Sequence, residues 1–315
     1  DDSPIRKIAN VWQLVSKNDL RPFVEENINE PILIRFKFVS EIALSDLDPR
    51  VDLPPSERWM ANVIADKRPE FSLRSKKWLS DSLALLWTLN NNKITSIVES
   101  IVNTILSSEK DVSRLLNSLW QNIQNIAEAT PNIFLNYIDE NINNLWWVFE
   151  QWDILMWWDG GFTQLLWSLE KLSWSPEYIT RVVHILFKLA EKYDEGIRNN
   201  YTNRPFWTLS EIFLPWINNT FLDIDKRLEL LNSIPNKDAL FSLLIKLFNE
   251  SSSSWLAKPI YQNWNTNMPD VNRKDYFQYM QWVIDILLEN FQNDIESKVC
   301  EILELSTKFS IESFN

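Results

Sequence analysis

Glycine is almost missing from this chain of 315 residues, which contains only Gly160, Gly161 and Gly196. The usual share of glycine is roughly 7%. Sheet-rich folds and enzymes with wide loops need glycine at many positions with positive φ. The chain also contains no G-x-x-x-x-G-K-[ST] phosphate loop, the motif that cradles nucleotide phosphates. The scarcity predicts helices joined by Pro, Asn and Ser turns, and a chain that holds no cofactor.

Cysteine and long apolar runs are scarce as well. The single cysteine, Cys300, excludes an internal disulfide framework and fits a reducing cytosol. The first ten residues, DDSPIRKIAN, contain no apolar signal segment. The densest apolar run, residues 145 to 158, is too short to span a bilayer and includes Glu150 and Asp153. We therefore expect a soluble cytoplasmic protein that does not bind membranes.

Histidine occurs once, at His184, which excludes His-based catalytic triads and metal sites with several histidines. On a helix over residues 176 to 193, the helical period places His184 with three charged residues and opposite an apolar stripe. We interpret it as a surface histidine without a catalytic role. The charged neighbours are Arg181, Lys188 and Glu191, and the stripe comprises Val182, Leu186, Leu189 and Tyr193.

Positive charge is in deficit. The chain has 31 Lys and Arg against 43 Asp and Glu, for a formal net charge of −12. Such a field repels phosphate backbones, so we expect no nucleic-acid partner and a protein partner instead. The local basic run Arg74, Lys76 and Lys77 fits a solvated helix face better than a docking site for an acidic surface.

Helix-start signals recur along the chain, whose apolar share of 45% is typical of globular proteins. They include Ser before an apolar periodic run and Pro at the first helical position. The predicted helices run from Pro54 to about Ala65, after Ser72 to about Leu89, from a capping box at Ser108 and Asp111 to Ala129, from Pro131, from Pro176 to about Tyr193, and through two late stripes, Tyr276 to Phe291 and Ile295 to Leu305.

The fold class predicted from this series is all-α. A dozen or more helices with short connections, and no strict 34- or 40-residue repeat, favour serial helical hairpins in a degenerate α-solenoid-like repeat. The serine run from Ser251 to Ser254 and the stretch 263 to 272 are the best candidate breaks. We therefore divide the chain into a main helical-repeat region, 1–250, and a C-terminal helical segment, 251–315, packed on the first.

Tryptophan is unusually dense, with five of the 17 indoles between Leu145 and Trp158. Placed on one helix, this segment has an ordinary core stripe that includes Trp152. The Gly160–Gly161 pair suggests a helix stop after it. Four other indoles lie off the stripe, on the side that carries the charges: Trp146, Trp147, Trp157 and Trp158.

Two main interpretations of these four indoles remain open. In one, the helix is broken or sandwiched between layers, and every ring is buried. In the other, some rings stay accessible and form a protein-binding surface, since Trp supplies much contact area for little entropy. A carbohydrate platform is a third, weaker interpretation. The four tryptophans are therefore candidate partner-binding residues.

Carboxylates are plentiful, which makes a hydrolase the alternative function. An acidic, Trp-rich, all-α chain of this length is compatible with an α/α-toroid glycoside hydrolase that uses paired carboxylates. Glu150 and Asp153, which lie among the tryptophans, are the first candidates for such a pair. Clefts of that kind are built from long loops with glycine, however, and this chain has little glycine.

Four segments resemble a known family: VWQLVSKNDLRPFV (11–24), DLPPSERWMANV (52–63), LLWSLEKLSWSPEYITRVVHILFKLAE (165–191) and NRPFWTLSEIFLPW (203–216). They are similar to the helical region that follows the nucleotidase module in large bacterial STAND-type NTPases. Those proteins are linked to antiphage defence, and some carry sirtuin-type or nuclease effectors at the N-terminus. The chain departs from the pattern in its charged KYDEGIRNN turn and its higher tryptophan count.

The resemblance implies a scaffold or sensor part of a larger machine. It carries over no catalytic residue, because no NTPase or effector motif lies within these residues. Residue composition and resemblance together predict a non-catalytic helical region that contacts other domains of a larger chain or a protein ligand.

Overall fold

A computed structural model describes the chain over residues 5–8, 11–14, 18–54, 57, 67–145, 161–193, 203–249, 255–268 and 270–291. Contacts between Cα atoms divide it into two compact units. Unit 1 comprises residues 1–172 and 259–263, and unit 2 comprises 173–258 and 264–315. The division that we predicted at residue 250 falls in a stretch, 250–254, outside the described ranges, and it stays a prediction.

Unit 1 begins with a short two-stranded ribbon and continues as helices. Strands β1 (Ile5–Ile8) and β2 (Val11–Leu14) pair antiparallel, with Ile5 opposite Leu14. The helices that follow are α1 (Arg21–Asn27), α2 (Glu30–Ser45), α3 (Leu73–Trp87), α4 (Asn92–Leu106), α5 (Val112–Ser118), α6 (Ile123–Ala129), α7 (Pro131–Asn141) and α8 (Gly161–Leu172).

The helices of unit 1 pack in a staggered series. Helix α2 packs on both α3 and α4, α3 packs on α4 and α6, and α6 packs on α7 and α8. Helices α2, α3, α4, α6, α7 and α8 therefore pack against near neighbours in the chain, as expected of stacked hairpins. The core side chains are mostly Leu, Ile and Val, among them Leu83, Val98, Ile101, Leu115 and Leu165, all fully buried.

Unit 2 contains α9 (Ile179–Tyr193), α10 (Pro205–Phe213), α11 (Ile224–Asn232), α12 (Lys237–Asn249) and α13 (Arg273–Phe291). Helix α10 packs between α9 and α12, while α13 packs on α11 and α12. Both units are thus built from helices in series, and the predicted all-α helical-repeat fold is confirmed. None of the helices in the described ranges is both long enough and apolar enough to cross a bilayer.

Two buried side chains from later helices donate hydrogen bonds to carbonyls at the C-terminal end of α10. Arg227 of α11 donates from Nη1 to the carbonyls of Leu214 (2.9 Å) and Ile217 (3.4 Å). Tyr279 of α13 donates its hydroxyl to the carbonyl of Phe213 at 3.0 Å. The last carbonyls of a helix have no partner within it and attract cations. These two residues therefore fix how α10 ends.

Several predicted helices are confirmed with their local causes. Helix α3 starts after Ser72, whose hydroxyl accepts from the Ser75 N–H at 3.1 Å. Helix α7 starts at Pro131, as the Thr130–Pro131 signal predicts. The stripe from Tyr276 to Phe291 lies on α13, where its members Met280, Val283 and Leu287 are buried. Local capping and apolar spacing are sufficient to place these helices.

The predicted helix from Ser108 to Ala129 is wrong in two respects. Its N-cap is Asp111, whose Oδ1 accepts from the Arg114 N–H at 3.1 Å, while the Ser108 hydroxyl donates back to the Ile105 carbonyl. The helix is also interrupted at residues 119–122, giving α5 and α6 in place of one. The interruption lets the two halves point at different neighbours: α5 contacts the 49–52 turn, and α6 contacts α3.

Gly161 is the first residue of α8, and no glycine in the described ranges has a positive φ. The helix stop predicted at Gly160–Gly161 follows a segment, 146–160, that lies outside the described residues, so it stays a prediction. A further local prediction needs correction. Ser175 and Pro176 open a turn, and α9 begins only at Ile179, whose N–H donates to the Ser175 carbonyl at 3.0 Å. Its predicted end at Tyr193 is confirmed. The predicted helices at 54–65 and 295–305 lie outside the described residues, apart from Pro54 and Glu57.

Candidate interaction surface

Helix α2 is the element that positions the candidate surface. Its start is fixed locally, because Asn29 Oδ1 accepts from the Ile32 N–H at 3.1 Å and Pro31 lies in the first turn. Proline is favoured there because its missing N–H would have no intrahelical partner. One side of the helix packs into unit 1 through Leu33, Ser40, Ala43 and Leu44, which are all buried.

The opposite side of α2 is apolar and exposed. Ile34, Phe38 and Ile42 follow each other at intervals of four residues, so they form one line along the helix. Ile32 and Val39, seven residues apart, form a second line beside it. Phe38 is 65% exposed, and all five side chains are exposed by 46% or more. We call these five residues the α2 apolar face.

An exposed face of this kind is unusual. Monomeric soluble proteins scatter single apolar residues over their surfaces, but they seldom group several large ones together. A helix that is apolar on all sides is normally buried on all sides. Because α2 is buried on one side only among the described residues, its other side is available for a further contact.

A shallow open groove adjoins the face at its C-terminal end. Its volume is about 720 Å³, and Ile42 and Glu41 of α2 form one wall. The other wall comes from the end of α4 and the turn after it, and is lined by hydroxyl and amide groups: Asn103, Thr104, Ser107 and Ser108. A partner that covers Ile42 would therefore meet hydrogen-bonding groups at the edge of the apolar contact.

The charged side chains around the α2 apolar face differ in whether they have an ionic partner. Lys37 lies 3.7 Å from Glu41 Oε1 and also donates to Ser100 Oγ at 2.8 Å. Thr104 Oγ1 donates to the same Glu41 carboxylate at 3.2 Å. Arg35, by contrast, is exposed between the lines of the face and forms no ion pair with any residue in the described ranges. The face therefore presents apolar side chains together with the guanidinium of Arg35.

The candidate tryptophans from sequence, Trp146, Trp147, Trp157 and Trp158, lie outside the described residues, and so do Glu150 and Asp153. Their role in partner binding and the glycosidase alternative therefore both stay predictions. At the borders of that segment, Leu145 is buried in unit 1. Trp174 is buried in unit 2, with its indole N–H donating to the Ala257 carbonyl at 3.1 Å.

The basic run at the start of α3 is not one solvated face. Lys76 is only 2% exposed, and its ammonium lies 2.9 Å from Asp46 Oδ2 and also donates to the Asp46 carbonyl. Arg74 and Lys77 are exposed, and the Arg74 guanidinium stacks over the exposed Trp78 ring at 5.0 Å. Our interpretation is thus wrong for Lys76, because Asp46, 30 residues earlier, draws it into the core.

His184 is half-buried on α9, where its Nε2 lies 3.3 Å from Ser233 Oγ. The residues predicted opposite it, Val182, Leu186, Leu189 and Tyr193, are buried as expected. Val183, Ile185 and Phe187 are buried too, so the apolar side of α9 is wider than a single stripe. No group of three or more His, Cys, Asp and Glu side chains suited to a metal ion occurs within the described ranges.

Sequence reasoning missed α2. The stretch ILIRFKFV alternates apolar and basic residues in a way that suggests a strand as much as a helix. The signal that does identify its start is Asn29 followed by Glu30–Pro31, a capping residue before a proline. No local signal indicates which side of so apolar a helix stays exposed.

Comparisons with protein-family models, with curated proteins and with solved structures found no match to this chain.

Proposed function

We propose that this chain is a non-catalytic α-helical scaffold that binds a protein partner through the α2 apolar face. The observation that carries the proposal is the exposure of five large apolar side chains side by side on one helix whose other side is core. Large exposed apolar patches mark interaction sites, and aromatic side chains within them tend to dominate the binding energy. Phe38, the most exposed of the five, is the expected anchor.

The partner that fits this surface is an amphipathic helix with an apolar stripe and a carboxylate placed opposite Arg35. Apolar lines at intervals of four residues accept the ridges of another helix. The guanidinium of Arg35 supplies the electrostatic complement to an acidic group. A net charge of −12 disfavours both an anionic lipid surface and a second copy of the same chain. A helix of a protein partner can present both the apolar stripe and the carboxylate opposite Arg35.

The wider setting of the proposal is a larger bacterial protein of the cytoplasm. Its support is the resemblance of four segments to the helical region that follows the nucleotidase module of STAND-type NTPases. In that setting the partner of α2 is another domain of the same polypeptide or a protein that the machine senses. An open reading frame with a phosphate loop upstream of residue 1 would support this context, and a frame that begins at residue 1 would argue against it.

A photo-crosslinking experiment tests the proposal. Benzoylphenylalanine is placed at position 38 in the native full-length protein, expressed in its own cells, and the crosslinked peptide is sequenced. The matched control carries the same group at Ser96, an exposed residue of α4 outside the face. We expect one dominant crosslink from position 38, to an apolar helical peptide, and none of the same product from position 96.

Binding with the purified partner then quantifies the contact. Phe38→Asp should weaken affinity by about thirtyfold, which corresponds to the hot-spot value of about 2 kcal/mol. Arg35→Glu should weaken binding, and reversing the facing acidic residue should restore it. A crosslink to a second copy of the chain, binding to lipid vesicles, or equal crosslinking from positions 38 and 96 would each overturn the proposed partner.

A further inference from the structure

Residues 259–263, with the sequence PIYQN, form a segment that is bent at residues 260–262 and that belongs to unit 1. They have no regular secondary structure. By their contacts they belong to unit 1, whereas the chain on either side of them, 173–258 and 264–315, belongs to unit 2. Ile260 of the segment is 132 residues away in sequence from Glu128, on the helix that binds it. The contacts that hold the segment include several hydrogen bonds to its main chain and side chains.

The main chain of the segment is captured by one buried carboxylate. Glu128 of α6 accepts the Ile260 N–H at 2.9 Å and the Tyr261 N–H at 2.8 Å, both at Oε2. The main-chain carbonyl of Glu128 accepts from Gln262 Nε2 at 2.7 Å. Two successive amide N–H groups that point at one carboxylate oxygen require a bent backbone, and the carboxylate holds that bend whatever its side chains are. The glutamine amide adds the first element of sequence preference.

The side chain of Tyr261 supplies the second element of sequence preference. It is 3% exposed, and its hydroxyl donates to Asp81 Oδ1 at 2.6 Å. Burial raises the pKa of Tyr261, and so does the hydrogen bond to the Asp81 carboxylate, so the hydroxyl remains a donor. A buried site built to accept a hydroxyl rejects the analogue without one, because its polar group is left unpaired. Phenylalanine is therefore a poor substitute.

The groups that receive the segment are held in place by their own neighbours. Lys171 of α8 donates to Glu128 Oε1 at 2.7 Å. Asn125 Nδ2 donates to Asp81 Oδ1 at 2.7 Å and to Ser80 Oγ at 2.9 Å. These contacts involve only helices α3, α6 and α8 and do not need the segment. Part of the support of the Glu128 and Asp81 carboxylates is therefore independent of the segment.

We propose that Glu128, Asp81 and their supporting residues form a recognition site for bent peptide segments containing Tyr-Gln, and that residues 259–263 occupy it in cis. The occupant in trans is an unmodified tyrosine peptide of another protein. A phosphotyrosine is excluded by the two carboxylates, which repel a phosphate. The cis segment acts as a competitor with a high effective concentration, so a free peptide binds only when the segment is weakened or displaced.

This site is separate from the α2 apolar face, and its test is independent of that face. The probe is a fluorescent peptide of residues 257–265, AKPIYQNWN, added to the full chain and followed by anisotropy. In the receptor, Tyr261→Ala with Gln262→Ala weakens the cis segment. We expect the doubly substituted chain to bind the peptide at least about tenfold more tightly than the wild type does.

Two controls define specificity. A peptide with Phe in place of Tyr should bind the doubly substituted chain about tenfold or more weakly, since it leaves the Asp81 carboxylate without its donor. Adding Asp81→Asn to that chain should lower affinity for the tyrosine peptide, while Phe38→Asp should not. If the partner-binding role proposed for Phe38 fails, that result concerns only the α2 apolar face and does not contradict the peptide site.

A second measurement covers the case in which the substituted chain does not fold. Excess unlabelled peptide is added to ¹⁵N-labelled wild-type protein, and hydrogen exchange of the fragment spanning 259–263 is read by mass spectrometry. Displacement by the tyrosine peptide should speed exchange of that fragment, and the phenylalanine peptide should not. Unchanged exchange, or no binding of the tyrosine peptide to a folded doubly substituted chain, would overturn the proposal.

Discussion

Lys171 and Glu128 form an ion pair with 2.7 Å between Nζ and Oε1, although both side chains are shielded from solvent, at 3% and 0% exposure. Lys171 lies on α8 and Glu128 on α6, two helices with extensive mutual contact. Two further N–H donors, from Ile260 and Tyr261, complete the coordination of the carboxylate. Full pairing is what allows a charge to remain in the interior of unit 1.

Removing one member of this pair should be costly. Lys171→Met is expected to lower the free energy of unfolding by about 3–5 kcal/mol, because it leaves the Glu128 charge buried without its cation. Urea denaturation measures the change. The matched control is Lys226→Met, whose ammonium lies 2.6 Å from Glu229 Oε2 but at the surface. Its effect should be close to zero, and equal effects in the two variants would contradict the argument.

Gly161→Ala should destabilise the fold despite alanine's higher helix propensity. A Cβ at Gly161 would lie 2.8 Å from Asn117 Oδ1 and 3.2 Å from the Leu116 carbonyl, both in α5. The backbone carbonyl cannot easily move, and overpacking of this kind costs about 1–3 kcal/mol, against a propensity gain of at most about 1 kcal/mol. We expect a lower melting temperature. A rise would show that α5 and α8 can separate.

Asp48 should contribute a pH-dependent part of the stability. Burial raises its pKa, but hydrogen bonds from the Arg50 side chain and backbone N–H outweigh burial, so the pKa lies below its usual range. A depressed pKa means that the contribution is complete above the usual value for Asp and is lost as pH falls through the folded-state value. Asp48→Asn should therefore cost about 2 kcal/mol at pH 7, as for hydrogen bonds to a charged group.

The same comparison in strongly acidic solution provides the check. Once the wild-type carboxylate is protonated, it is as neutral as the amide of the Asp48→Asn variant and no longer attracts the Arg50 guanidinium. The stability difference between the two chains should therefore shrink as the pH falls. Chemical denaturation across an acid pH series measures it. A difference that stays constant over the whole series would contradict the assignment of the effect to the Asp48 charge.

Tyr279→Phe should lower the free energy of unfolding, because it removes a hydrogen bond at the C-terminal end of α10. The hydroxyl donates to the buried Phe213 carbonyl at 3.0 Å, and an acceptor left without its donor costs about 1–3 kcal/mol. Because Arg227 donates to the carbonyl of Leu214, the residue after Phe213, Arg227→Met combined with Tyr279→Phe should give a non-additive loss. Denaturant midpoints of the two single variants and the double variant test this. Strict additivity would show that the two residues act independently.

His184→Gln should change the free energy of unfolding by less than about 0.5 kcal/mol, as surface substitutions usually do. The residue is half-buried and has one long contact, 3.3 Å to Ser233 Oγ. The matched control on the same helix is Leu186→Ala, which removes a fully buried side chain and should cost about 2–5 kcal/mol. A loss above about 2 kcal/mol for His184→Gln would mean that the histidine has a structural role.

Local sequence determined where many helices begin and end, because the responsible contacts join neighbours. Ser72 accepts from the N–H of Ser75, and Asp223 accepts from that of Lys226, each three residues away. Pro131 and Pro205 restrict their own backbones at helix starts. The apolar period of α13 likewise depends only on spacing along one helix. Scarce glycine and serial caps were therefore sufficient to predict an all-α fold.

Tertiary structure alone decided which polar groups entered the core and which apolar ones stayed outside. Glu128 meets Lys171 across 43 residues and Tyr261 across 133, and Lys76 meets Asp46 across 30. A charge is buried only where folding brings its partner, and no periodicity encodes that partner's position. The same reason applies to Phe38: α2 is apolar on both sides, so its exposed side is set by which helices pack against it, not by its own residues.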